Sequence, residues 1–240
     1  MCGIVGYIGH REAFPIVIKG LKRLEYRGYD SAGVMLFDGK NLKVCKTKGK
    51  VSDLEELCTT NITTNGTIGM GHTRWATHGV PNDVNSHPHV SNSGNLVIIH
   101  NGIIENYAPL KKELIKRGYV FHSDTDTEVL VNLIEDVQKK DNLKLGKAVQ
   151  IALNQVVGAY AICVFDKQKP NEIIVARLGS PLAIGVGENE YFIASDASRC
   201  VGYSSNAIYR EAEERAIGRM DIRLKKRKIN ILRIKSKKKF

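Results

Sequence analysis

At 240 residues, with 42% hydrophobic and 25% charged side chains, the chain suits one large domain or two small ones with a substantial buried core. No apolar run approaches the roughly 18–20 residues of a membrane span, and no basic stretch followed by an apolar block opens the chain, so neither a membrane protein nor a secretory signal is expected. Net charge is +11, but residues 201–240 hold 13 Lys/Arg against 4 Asp/Glu, so the basic character belongs to the C-terminal end and says little about the main body. The cysteines, Cys2, Cys45, Cys58, Cys163 and Cys200, are odd in number and lack CxxC spacing. That argues against a disulfide framework or zinc ribbon and for a reducing, cytoplasmic setting. All but Cys2 read as small hydrophobes in or near the core.

In chain order, Cys2–Gly9 reads as a short buried strand. Arg11–Tyr26 has helical spacing, with Phe14, Val17, Leu21 and Leu24 along one stripe and Pro15 in the first turn. A polar loop, 25–33, leads to strands Gly33–Phe37 and Leu42–Lys46, joined at Asp38-Gly39. Val51–Cys58 reads as a helix capped by Ser52 with Glu55 three residues on. Thr67–Thr73 is a strand from which Arg74-Trp75-Ala76-Thr77-His78-Gly79 departs. Residues 80–94, containing Pro81, Pro88 and Gly94, form a long loop of the kind that carries function. Leu96–His100 is a strand running into Asn101-Gly102. Helices follow at 106–117 (ended by Gly118), from Ser123 to about Lys139, and at 143–157. Strands follow at 159–165, 172–177, 182–186 and 191–194. Without regular βαβ alternation, this order indicates an α+β fold with largely antiparallel sheets.

Cys2 is the first candidate for chemistry. If Met1 is removed, one residue carries both a thiol (pKa about 8.5) and a free α-amine (about 7.7–8.0), a nucleophile beside a base. Attack on a carboxamide then needs donors for the oxyanion, and the Asn101 side-chain amide with the Gly102 N–H would supply them. Taken alone, Asn-Gly is equally a turn dipeptide. An amino-acid substrate also needs a cation for its carboxylate, which Arg74 can be, and an anion for its ammonium, from Asp124 or Asp126. Either aspartate could instead cap a helix. His78, His87, His89 and His100 match no structural-zinc spacing, so they read as polar loop residues, and no metal or cofactor is expected.

These segments occur together and in order: Cys2-Gly3-Ile4-Val5-Gly6, residues 23–33, His72–Gly79, Asn85–His89, His100–Asn106 and Asp124–Glu128. From Cys2 to about Ala197 the chain closely resembles the N-terminal-nucleophile glutamine amidotransferases, and among them the glutaminase domains of the glutamine–fructose-6-phosphate aminotransferases. Tyr26-Arg27-Gly28-Tyr29-Asp30 separates it from the phosphoribosylpyrophosphate branch, which usually has a His-Arg-Gly-Gln-Asp-like stretch there, and from the asparagine synthetases, with His-Arg-Gly-Pro-Asp. The resemblance implies a four-layer αββα sandwich with Cys2 at the end of a central strand. It implies Cys2 as nucleophile, its α-amine as base, Asn101 and Gly102 as oxyanion hole, and Arg27 beside the nucleophile. It further implies Arg74 on the substrate α-carboxylate with Thr77 and His78 in the same loop, Asp126 on the α-ammonium, Trp75 in a loop closing over L-glutamine, and His87 supporting that loop.

The expected organisation is a glutamine amidotransferase domain over 1–205 and a divergent basic extension over 206–240. The sugar-isomerase domains of the family, which use fructose 6-phosphate, are absent from these residues, so a separate domain or chain is the expected partner. The basic run at 223–228 and 235–239 has no interleaved aromatic residue for stacking bases, so neither nucleic acid nor a membrane is expected as a partner. A basic polyanion-binding protein on a degenerate glutaminase scaffold is the alternative reading.

Overall fold

Strands with apolar residues on both faces can be buried on both faces, and here two such sheets stack. The computed structural model describes residues 2–75, 79–140, 142–196, 206–208 and 230–235. The strands are β1 (Gly3–Ile8), β2 (Ser31–Phe37), β3 (Leu42–Lys48), β4 (Ile68–Arg74), β5 (His89–Val90), β6 (Leu96–Ile104), β7 (Gly158–Asp166), β8 (Glu172–Leu178), β9 (Ala183–Gly187), β10 (Glu190–Ala194), β11 (Asn206–Ile208) and β12 (Asn230–Lys235). The helices are α1 (Ala13–Leu24), α2 (Val51–Asn61), α3 (Tyr107–Lys116), α4 (Asp126–Lys140) and α5 (Leu145–Leu153). A seven-stranded sheet runs β11-β9-β10-β1-β4-β2-β3 and a five-stranded sheet runs β12-β8-β7-β6-β5, with antiparallel pairing throughout the ladders.

The period-two alternation of strands decides what each face meets. Ile4 and Ile8 of β1, Met35 and Phe37 of β2, and Met70 of β4 meet Val97 and Ile99 of β6 and Cys163 and Phe165 of β7 between the sheets. The opposite face of the first sheet (Val5, Tyr7, Val34, Leu36) is covered by Val17, Leu21 and Leu24 of α1 and Leu54 and Cys58 of α2. A Cβ on Gly71 would lie 2.5 Å from Val17, so a glycine there lets α1 close on β4. The second sheet's outer face (Leu96, Ile98, Ile162, Val164) is covered by α4 and α5. The result is four layers, αββα. Each fully buried aliphatic side chain in these layers is worth about 1.5–3 kcal/mol. Among the described residues no helix is long and apolar enough to cross a membrane.

Several elements differ from the sequence expectation. Ser52 does not cap α2: Lys50 is extended, the helix starts at Val51, and the Asp53 carboxylate accepts the Lys50 N–H at 2.8 Å. The 80–94 loop contains β5, paired with Val97 and Ile98. Asn101-Gly102 is not a turn: β6 continues through it, with Asn101 opposite Ala161 and Gly102 opposite Tyr160. Within 206–240, β11 pairs with β9 and β12 with β8, so this region contributes an edge strand to each sheet. The Arg233 guanidinium pairs with Glu172, and Ile234 is buried. The runs at 223–228 and 236–239 lie outside the described residues.

Candidate active site

Cys2 leads into β1, a central strand of the first sheet, with β10 on one side and β4 on the other. Ser195 pins the start of that strand: its Oγ accepts the Ile4 N–H at 3.0 Å, and its own N–H donates to the Ile4 carbonyl at 3.0 Å. From the facing sheet, Asn101 Nδ2 donates to the Cys2 carbonyl at 3.1 Å. The start of the strand is therefore held from both layers, at Ile4 by Ser195 and at Cys2 by Asn101. The partly exposed Cys2 thiol lies beside the end of β4, where the Trp75 N–H donates to its Sγ at 3.2 Å. Burial pushes this thiol up, opposed by the Trp75 N–H and the positive charge of Arg74.

Alternation again explains which side chains meet. Met70, His72 and Arg74 share the inner face of β4, and Val97, Ile99 and Asn101 share the inner face of β6. The apolar inter-sheet core thus gives way to polar residues at one end, where His72 Nε2 lies 2.9 Å from Asn101 Oδ1. Arg74 is buried, and its Nη2 donates to the Gly79 carbonyl at 3.2 Å. Trp75 is 54% exposed, and its indole lies over Gly28, where a Cβ would be 2.7 Å from the ring. Gly28 has φ 85, so both its conformation and this close approach call for glycine.

The loop before β5 is anchored from three directions. Lys46 Nζ donates to the carbonyls of Val84 and Ser86 at 3.2 and 3.0 Å. Asn85 Nδ2 donates to Val80 O and to the Asp124 carboxylate, while its Oδ1 accepts the Asp124 N–H at 3.0 Å. Gly33 leaves room for the loop backbone: a Cβ there would be 2.0 Å from the His87 carbonyl oxygen. Asp126, buried at the start of α4, accepts the Ile104 N–H at 2.7 Å, which ties its carboxylate to β6 two residues beyond Gly102. It is Thr125, rather than Asp124 or Asp126, whose side chain accepts an N–H of the first turn, that of Glu128 at 3.3 Å.

The histidines do not lie loose in a loop. The His72 and His87 rings lie against each other, tilted by 37° with centroids 4.1 Å apart, and the His87 and His89 rings meet edge-on at 4.9 Å. Thr127 Oγ1 lies 3.0 Å from His87 Nε2 and 2.9 Å from His100 Nδ1, and Thr125 Oγ1 lies 3.0 Å from His89 Nε2. Burial pushes His72 down to about 3, and burial with neighbouring positive charge holds His87 and His89 well below the usual histidine range. The sign of the pH effect follows. Below about 6.5 the unfolded chain takes up protons that these buried rings refuse, so their contribution is fully present above that pH and is lost as pH falls from 6.5 towards 3. His72 is expected to remove about 2 kcal/mol by pH 5, and His87 and His89 act in the same direction. Urea midpoints should be level between pH 7 and 8 and drop steeply by pH 5; a level midpoint throughout would contradict neutral, buried rings.

The structure therefore brings together Cys2, Trp75, Asn101, His72 and Arg74 at one end of the two sheets, with Gly102 and Asp126 on and against β6. Thr77, His78 and Met1 lie outside the described residues. Arg27 ends a 3₁₀ turn, Glu25–Arg27, and its side chain is likewise not described. The sequence alone assigns no role to His72, Thr127, Asn85 or Lys46. A signal existed for His72: it precedes Arg74 by two on a strand, so the two share a face.

The family model for the glutamine amidotransferase domain matches residues 57–224. The glutamine–fructose-6-phosphate aminotransferase (isomerizing) of Bacteroides thetaiotaomicron is 60% identical over 218 residues, covering 90% of this chain and 35% of that protein. The enzyme of the same name from Thermococcus kodakarensis is 48% identical over 217 residues, covering 90% of this chain and 36% of that protein. This chain spans about a third of the length of these curated relatives. Among solved structures, an allosteric regulatory enzyme of purine biosynthesis has a TM-score of 0.73 at 32% identity, over 84% of this chain and 43% of that one. Glutamine phosphoribosylpyrophosphate amidotransferase from B. subtilis has a TM-score of 0.70 at 31% identity, over 82% and 42%.

Proposed function

The chain belongs to the glutamine amidotransferase domain family, and on that premise we propose that it hydrolyses L-glutamine to glutamate and ammonia through Cys2. The observation that carries this reading is the thiol beside the Trp75 N–H, on a residue whose carbonyl already takes the Asn101 amide from the facing sheet. With Met1 removed, the Cys2 α-amine takes the thiol proton as Sγ attacks the side-chain carbonyl carbon of glutamine. The Asn101 Nδ2 and Gly102 N–H groups stabilise the oxyanion. The C–N bond then breaks, the α-ammonium protonates the leaving nitrogen, and ammonia departs from a γ-glutamyl thioester. Water adds to the thioester with the amine as base, and C–S cleavage gives glutamate and the free thiol. Arg74 holds the substrate α-carboxylate and Asp126 its ammonium, with Trp75, Thr77, His78 and His87 in the loop region over the substrate and Arg27 near the nucleophile.

The names of the full-length relatives support a next step in the same proposal. The ammonia passes to a sugar phosphate derived from fructose 6-phosphate, bound by a sugar-isomerase domain or chain that acts with residues 1–205. A reducing, cytoplasmic setting keeps the thiol available. The test is release of glutamate and ammonia from L-glutamine by wild type and Arg74→Lys. A lysine keeps the charge but loses the two-pronged carboxylate contact, so KM is expected to rise about 10–100-fold with a smaller fall in kcat. A glutamine analogue without the α-carboxylate should not distinguish the two proteins. No glutamate release by wild type would sink the reading, and an unchanged KM in Arg74→Lys would sink the role of Arg74.

A further inference from the structure

We propose that His72 is a positioning residue that sets which end of the Asn101 carboxamide faces the reacting oxygen. The proposal rests on the glutaminase reading above. An asparagine side chain has the same shape either way round, so its orientation follows only from its partners. Here the partners decide it. The Cys2 carbonyl can only accept, and it lies 3.1 Å from one end, which must therefore be the NH2 group. The other end, Oδ1, lies 2.9 Å from His72 Nε2, so that nitrogen must carry a proton and donate.

The His72 ring is enclosed on all sides. It is 0% exposed, on β4 between β1 and β2, in register with Ile4 and Gly33. It lies against the tilted ring of His87, whose own Nε2 is held at Thr127 Oγ1. Burial keeps the imidazole neutral far below neutral pH, so the donor does not come and go across the working range. With Nε2 unprotonated instead, the carboxamide would turn over and aim its oxygen at the developing oxyanion. The pair would then repel the charge that the site has to stabilise.

A residue acting this way should change kcat, not substrate affinity, and should act only through Asn101. His72→Phe keeps an aromatic ring against His87 and removes the donor. His72→Gln restores an N–H near the Nε2 position. The expected result is a loss of about 10²-fold in kcat for His72→Phe with KM nearly unchanged, and recovery to within about tenfold of wild type in His72→Gln. The alkylation rate of the Cys2 thiol should be the same in all three proteins, because the nucleophile is untouched. Adding His72→Phe to Asn101→Ala should cost nothing further, since the group being oriented is already gone. His72→Leu serves the same cycle if the phenylalanine variant does not fold. Full activity in the folded donor-less variants, a loss carried by KM, equal impairment of His72→Gln and His72→Phe, or additive losses with Asn101→Ala would each overturn the proposal. Absence of glutamine hydrolysis in wild type would instead overturn the reading on which it rests.

Discussion

Cys2→Ala is expected to lose glutamine hydrolysis by on the order of 10⁴-fold or more, because it removes the sulfur proposed to attack the glutamine carboxamide. Stability should hardly change. The side chain is partly exposed, and the contacts that fix this end of β1 run through backbone: the Cys2 carbonyl to Asn101, and Ile4 to Ser195. The variant should therefore still bind L-glutamine, measured by calorimetry, while ammonia release falls to background. Residual turnover above about one per cent would assign the chemistry to another group.

Gly102→Ala is expected to fail for a different reason and to damage both fold and turnover. Gly102 has φ 131, a conformation costly for a residue with a Cβ, and that Cβ would sit 2.0 Å from the Ala159 carbonyl on β7. The strain alone is about 1–3 kcal/mol. Relieving the contact means separating β6 from β7 beside Asn101, so kcat should fall about 10²–10³-fold as the proposed oxyanion donors shift. Gly94→Ala is the control: its φ is 76, but no neighbouring atom lies within 4 Å of the added carbon. It should cost about 1 kcal/mol and leave turnover intact. Thermal midpoints with steady-state kinetics separate the two; equal behaviour of the variants would contradict the close approach at β6.

The strands were legible because those buried on both faces declare themselves as short apolar runs bounded by Gly, Pro and Asp, as at β1, β7 and β8, whereas the four layers followed from the family resemblance. The start of α2 that the sequence misassigned turns on two residues of phase, Ser52 against Lys50. Ser52 followed by Glu55 satisfies a capping pattern, but Lys50 is already in the extended conformation that precedes the first turn. Asn101-Gly102 shows the limit of dipeptide rules. The same two residues that would turn a hairpin continue a strand here, because nine consecutive residues of β6 find partners on β7. The pairing of β12 with β8 joins positions far apart in sequence, and no local pattern announces it.

In the site, the residues on strand ends could be read from spacing: Arg74 follows β4's inward-facing residues, and Cys2 leads into β1. The groups that hold them could not. Thr127 meets His87 and His100 only because α4 packs on the second sheet, and Lys46 reaches Val84 and Ser86 only because β3 runs beside that loop. Both are tertiary facts carried by residue types that are common on any surface.

The N-terminal thiol as nucleophile is tested most directly by intact-mass measurement of the protein before and after brief mixing with L-glutamine and acid quench. The starting mass is expected to lack Met1. A transient species heavier by one γ-glutamyl group should follow, with the modification mapped to Cys2 by fragmentation and absent from Cys2→Ala. Full turnover by protein that retains Met1, or a glutamyl group on any other residue, would contradict the thiol's role as nucleophile.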